Sequence, residues 1–158
     1  MMAALLEALG HWPGALWLQR SATAYLLVSA AHILGIGLLV GAILPLDLRL
    51  LGLLRAAPLA VLAPFLQQAA ACGLALAMLT GAWLFTVKPL EYAANPAFLW
   101  KFGLLALALA NIALQHRGGA LAAALATERP AARVRASALA SFTLWLAVLV
   151  AGRWIGFA

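Results

Sequence analysis

The sequence predicts an all-α integral membrane protein, a four-helix bundle with a short N-terminal interfacial helix. Three observations lead there. Of its 158 residues 67% are hydrophobic and 9% charged, with a mean hydropathy of +1.06. A soluble domain of this length needs far more charge to cover its surface. The charges stand between long uncharged runs, so four stretches of about 20 residues or more can each cross roughly 30 Å of hydrocarbon. Those stretches lack the period-two alternation of a membrane barrel strand, and a helix is the form that satisfies its own backbone in lipid.

The elements follow in chain order. The opening MMAALLEALGHWPGALWLQR carries Glu7 and has neither a basic start nor a cleavage pattern, so it does not read as a secretory signal. Pro13 can open a helical turn between Trp12 and Trp17, which gives a lead-in helix with its tryptophans at headgroup level. The first span covers residues 21–46, uncharged between Arg20 and Asp47, and Pro45 should loosen its end. The second covers 64–87, beginning near Pro64 and closing before Lys88. The third, 96–116, holds Lys101 in its first turns, and the fourth, 136–157, holds Arg153 near its end. The one sizeable loop, RGGALAAALATERPAARVR, joins the last two spans. No repeat or linker divides the chain, so residues 1–158 form one membrane domain. Cys72 lies alone in an apolar helix, which excludes a disulfide framework.

Four spans put both termini on one face, side A, with Arg20, Lys88, Lys101 and Arg153. Side B carries Arg49, Arg55, Arg117, Arg129, Arg133 and Arg135. The excess on side B marks it as cytoplasmic in a bacterial inner membrane, with both termini periplasmic. Arginines over anionic lipid account for the basic charge, and no nucleic-acid partner is implied. Trp12, Trp17, Trp83, Trp100 and Trp154 fall towards side A, as an interfacial belt or as an aromatic rim for a cofactor, quinone or membrane partner.

Polar residues inside the spans define the candidate site. Tyr25, Ser29 and His32 share one face of the first helix with Gly35, Ile36 and Leu39, and Lys101, Ala108, Asn111 and Gln115 form a stripe on the third. Small residues allow close approach: Gly37 and Gly41 on the first helix, Gly73, Ala77 and Gly81 on the second, Ser137 and Ser141 on the fourth. They either pack helices or make room for a flat ligand.

Counted from residue 22, His32 lies about 15 Å down, near the bilayer middle, and Met78 reaches a similar depth. Lys101 and Arg153 lie about 6–8 Å from side A. That arrangement suits haem b, with His32 as axial metal ligand, Met78 as a second ligand, and the two cations on the propionates. The structural alternative is a histidine hydrogen-bonded to Ser29, Thr80 or a backbone carbonyl. His116 ends the third helix, too far along the bundle to share an iron with His32. It should snorkel beside Arg117. His11 and Glu7 are spaced i, i+4 but lack further metal ligands. Asp47 should lie at the side-B surface and clamp a helix end through Arg117 or another loop arginine, since its i, i+2 spacing keeps it off the face of Arg49.

The stretches AHILGIGLLVGAILPLDLRLLGLL (31–54), LTGAWLF (79–85), EYAANPAFLWKFGLLALALANIALQHR (91–117) and AGRWIGF (151–157) resemble an uncharacterised bacterial family of four-helix membrane proteins. The likeness spans nearly the whole chain and implies architecture rather than chemistry. A wider similarity, through the first-helix histidine and FLWKFGLL, is to the HemJ-type protoporphyrinogen oxidases and the membrane domain of copper-resistance D proteins. By position His32 matches the HemJ-type histidine and Lys101 its lysine, which implies haem b. The HemJ type carries its histidine nearer the helix start and lacks DLRLLG, so its oxidase activity does not transfer. A copper site needs soft ligands beyond Cys72 and Met78.

No Ser/His/Asp set, paired carboxylate, phosphate loop or zinc spacing is present, which argues against a hydrolase or transferase working by side chains alone. The sequence therefore reads as a haem b-binding, cytochrome-like redox protein embedded in lipid, with a membrane redox partner or quinone and a homo-oligomer as its candidate associations. Two other readings stand beside it: a cofactor-free scaffold or accessory subunit, and a small metal or proton transporter using His32, Asn111 and Gln115.

Overall fold

The computed structural model describes residues 1–54 and 57–157, and Arg55, counted above with side B, lies outside the described residues. Among the described residues there are eight helices and no strand: α1 (Met2–His11), α2 (Pro13–Arg20), α3 (Ala22–Leu51), α4 (Leu59–Phe85), α5 (Pro89–Ala94), α6 (Pro96–His116), α7 (Ala120–Thr127) and α8 (Ala132–Trp154). Four of them, α3, α4, α6 and α8, are long and apolar enough to cross a membrane. The chain is an all-α, multi-pass membrane bundle.

The boundaries have local causes. The lead-in is two helices rather than one, because the extended Trp12 and the fixed ring of Pro13 break it. The Ser21 hydroxyl caps α3 by accepting from the Ala24 N–H at 3.2 Å. Contrary to the expected loosening, α3 runs through Pro45 to Leu51. It stops at Gly52, whose φ of 86° is the left-handed conformation that glycine tolerates. The N–H of Gly52 meets the Arg49 carbonyl and that of Leu53 meets Leu48, closing the last turn. Helix α4 begins at Leu59, before Pro64, which sits inside it. Asn95 Oδ1 caps α6 through the N–H groups of Ala97 (2.9 Å) and Phe98 (3.3 Å), with Pro96 preset in the first turn. The long loop folds into α7, and α8 starts earlier than residue 136.

Packing runs in the order α4, α3, α8, α6, and the two outer helices of that series, α4 and α6, scarcely touch. The α3–α4 pair is the tightest. A Cβ on Gly73 would stand 2.5 Å from the Leu39 nitrogen, and one on Gly35 2.7 Å from the Ala77 nitrogen. Backbones this close need glycine at the crossing. Gly37 and Gly41, by contrast, face open space, so the close approach belongs to Gly35 and not to them. Small and medium residues fill the core: Leu39, Ala42, Ala70 and Ala108 around Trp145 at mid-bundle, and Leu46, Leu50, Leu59, Ala63 and Ala138 towards side B.

At side A the lead-in helices are bolted to the end of α4. Trp12 Nε1 donates to Thr86 Oγ1 at 3.0 Å, and Trp83 Nε1 donates to the Gly14 carbonyl at 3.1 Å. Trp17 stacks on Trp83 with centroids 5.8 Å apart. Gln19 ties the Gly10 and Val87 carbonyls together, both at 3.0 Å. Trp100 and Trp154 remain exposed, as a belt residue should.

Candidate functional site

His32 projects from α3 onto α4. Its Nδ1 lies 3.1 Å from Thr80 Oγ1. The Thr80 hydroxyl gives its own hydrogen to the Leu76 carbonyl at 2.6 Å, so towards the ring it can only accept. With that hydrogen on Leu76, an Nδ1–H donor satisfies the contact, and the Ala77 backbone of α4 is a second hydrogen-bonding neighbour of the ring. The ring packs on Gly81, where a Cβ would meet Cε1 at 2.8 Å. Any larger residue at position 81 would push the imidazole away. Gly81 thus makes the ring's seat, and Thr80 orients Nδ1.

From α6, Lys101 comes within electrostatic reach of His32. Its aliphatic stem and ammonium lie along Gly152 of α8, where a Cβ would be 3.4 Å from Nζ. Each of the four spanning helices thus contributes to one half-buried polar cluster in the side-A half. The gap left between α4 and α6 is bridged at this end by aromatic rings. Phe85 of α4 stacks on Phe98 of α6 at 5.3 Å, and Tyr92 and Phe102 lie against Phe98 at 5.6 and 4.8 Å. Tyr92, outside the spans, has its phenol held above the usual range by burial and by Tyr25 beside it.

The other expected site residues are placed as follows. Met78 is level with the His32 ring, but Ala77, Thr80 and Gly81 take the positions facing α3, and Met78 is 45% exposed. Arg153 is exposed at the side-A surface, its guanidinium 4.4 Å from the centre of the Phe157 ring. Asn111 and Gln115 do not meet His32. Asn111 and Ser137 exchange two 3.0 Å hydrogen bonds that join α6 to α8, and Gln115 lines a separate cleft with Arg133. The rings of His116 and His11 are exposed and donate to the backbone carbonyls of Ile112 and Glu7. No group of three or more His, Cys, Asp or Glu able to hold a metal ion occurs among the described residues.

Asp47 departs most from expectation. Instead of lying at the surface it is 1% exposed, because α3 continues past Pro45 and turns the carboxylate onto α8. The Ser141 hydroxyl is its hydrogen-bonding neighbour. Its Oδ2 has no partner, nor does Nε1 of Trp145, one turn further along α8. Buried polar atoms left unpaired in a bundle core are costly and uncommon. Arg49, the other charge of DLRLLG, pairs with Glu128 at 2.6 Å and not with Asp47.

The model of a family of unknown function, DUF6644, matches residues 20–158. The chain belongs to that family. The match takes in all four spanning helices and every residue of the His32 cluster, and leaves out the first nineteen residues, which hold α1 and most of α2. No curated protein and no solved structure gives a significant match.

Proposed function

We propose that this family member is a membrane redox protein that holds haem b through His32 in the side-A half of the bundle. The observation that carries the reading is the 3.1 Å contact between His32 Nδ1 and Thr80 Oγ1. An Nδ1–H that donates there, to an oxygen whose own hydrogen goes to Leu76, leaves Nε2 as the basic nitrogen. A ligating histidine is held in this way, with its second nitrogen oriented by an outer partner. Lys101 supplies a cation beside the ring, and Arg153 stands one residue beyond Gly152 at the surface. Both suit the carboxylates of a porphyrin.

The residues present fit one protein ligand, and Met78, facing outwards, is given no part. Haem supplies one-electron chemistry when bound. The chain's own work is to orient the imidazole, keep water away with apolar spans, and offset anionic charge through Lys101. The aromatic group around Phe98 at the α4–α6 gap supports an electron partner that travels in the lipid, such as a quinone. The likeness to HemJ-type proteins through His32 and Lys101 points the same way. Side B, with most of the arginines, is read as the cytoplasmic face of a bacterial inner membrane.

A second reading rests on the contact with Gly81. The ring is already packed and hydrogen-bonded, which suffices for a scaffold in which His32 joins α3 to α4. Titration of the detergent-purified protein with haemin separates the two. The haem reading expects saturable binding that His32→Ala abolishes and Lys101→Ala weakens several-fold. Equal binding by wild type and His32→Ala leaves the scaffold.

A further inference from the structure

At side B, far from His32, the end of α3, the α7–α8 connection and the start of α8 enclose a cleft of about 350 Å³. Three arginines line it, Arg49, Arg129 and Arg135, with a single acidic residue, Glu128. Its carboxylate is fully used. Oε2 accepts from Arg49 at 2.6 Å and Oε1 accepts from the Ala60 N–H at 3.1 Å, which caps the first turn of α4. Glu128 is held at φ 57°, the one non-glycine positive φ among the described residues. Such a conformation is adopted at a cost in side-chain crowding, and here it accompanies these two contacts. Arg49 is committed as well, since its Nε donates to the Ala57 carbonyl at 3.0 Å and its side chain is only 11% exposed.

Arg129 and Arg135 are left over. Both are exposed, and among the described residues neither forms an ion pair. Beside them α8, a helix of 23 residues, starts at Ala132, and its N-cap Ala131 supplies no side-chain hydrogen bond. The positive end of that helix dipole lies between Arg129 and Arg135 along the chain. Two uncompensated planar forks lining one concavity at a membrane edge, with a helix start between them in sequence, match the charge and geometry of a phosphate oxygen set. We propose that this cleft binds a phosphate-bearing anion, Arg129 and Arg135 gripping its oxygens while the Arg49–Glu128 pair forms a rigid floor. An anionic phospholipid headgroup and free phosphate share that chemistry.

The test uses the full chain, delipidated in detergent and offered two probes separately. One is mixed phosphatidylglycerol and phosphatidylcholine, read as the ratio retained in native mass spectra. The other is inorganic phosphate at constant ionic strength, read as a thermal shift. For a lipid source, the wild type retains phosphatidylglycerol preferentially. The double change Arg129→Gln/Arg135→Gln lowers that preference about tenfold, as loss of charge-assisted bonds implies. The charge-matched control Arg117→Gln/Arg133→Gln, at the same end of the bundle, moves it less than about twofold. For a free-anion source, phosphate gives a saturable shift that only the first pair loses. Arg129→Lys/Arg135→Lys keeps the charge without the forks and retains an intermediate response to whichever probe binds. Equal losses from the two double variants, or no response to either probe, overturn the proposal.

Discussion

At the scale of single residues, His32 and Asp47 pose opposite problems. His32 is tied to α4 through the Thr80 hydroxyl and the Ala77 backbone, and the Thr80 contact is the one that orients Nδ1. Thr80→Val removes that acceptor at little change in volume. Nδ1 then loses the contact that orients it, and haemin affinity should fall several-fold, whereas Thr80→Ser should stay close to wild type. Equal affinities for the two variants would show that Thr80 does not orient a ligand. Asp47 is buried with an unpaired oxygen. An amide is far less costly than a carboxylate in such a place. Asp47→Asn should therefore match or exceed the thermal midpoint of the wild type. Asp47→Ala, which opens a void and strands Ser141, should lose about 1–3 kcal/mol. A marked loss in Asp47→Asn would mean that the carboxylate itself is in use.

His32 is legible from the sequence because a lone imidazole in an uncharged run has to be explained, and Thr80 is among the partners the sequence offers it. The burial of Asp47 is not. Proline normally ends or kinks a helix, so everything after Pro45 reads as surface. Only the packing of α8 on α3 shows that the helix continues. Met78 illustrates a different limit. Residue counting along a helix gives depth, but an apolar helix in lipid has no strongly polar face to fix its rotation. Its depth was therefore readable and its outward direction was not.

At the scale of elements, the four spans and their approximate centres follow from charge spacing alone, while their ends depend on caps. The Gly52 stop and the Asn95 cap can be recognised locally. The pairing of Arg49 with Glu128, 79 residues apart in sequence, leaves no local mark. Glycine spacing was informative in part. Gly73, Ala77 and Gly81 do face α3, but on α3 the close approach is made by Gly35, on the face of His32 and nearly opposite the Gly37–Gly41 pair. Gly35→Leu should accordingly disrupt the α3–α4 crossing and cost about 1–3 kcal/mol or more. Gly37→Ala and Gly41→Ala, with nothing within 4 Å of the added carbon, should be tolerated or mildly stabilising. Thermal melts in one detergent check both, and equal tolerance of all three changes would place the crossing elsewhere.

At the scale of the whole molecule, the bundle has unlike ends. Side A is aromatic and carries the lead-in helices, the Phe98 group and the His32–Lys101 cluster. Side B is arginine-rich, with the Glu128 turn and its cleft. The open series α4–α3–α8–α6 leaves the two outer helices apart, and His32 points onto one of them while Lys101 comes from the other. That asymmetry suits the proposed role, in which one flat cofactor is held near one face of a membrane with its edge towards the lipid. The most direct measurement is a visible absorption spectrum of the protein purified in mild detergent from haem-replete cells, before and after dithionite. The account predicts a Soret band with sharpened α and β bands on reduction, all absent from His32→Ala. A folded, colourless wild-type preparation would contradict it.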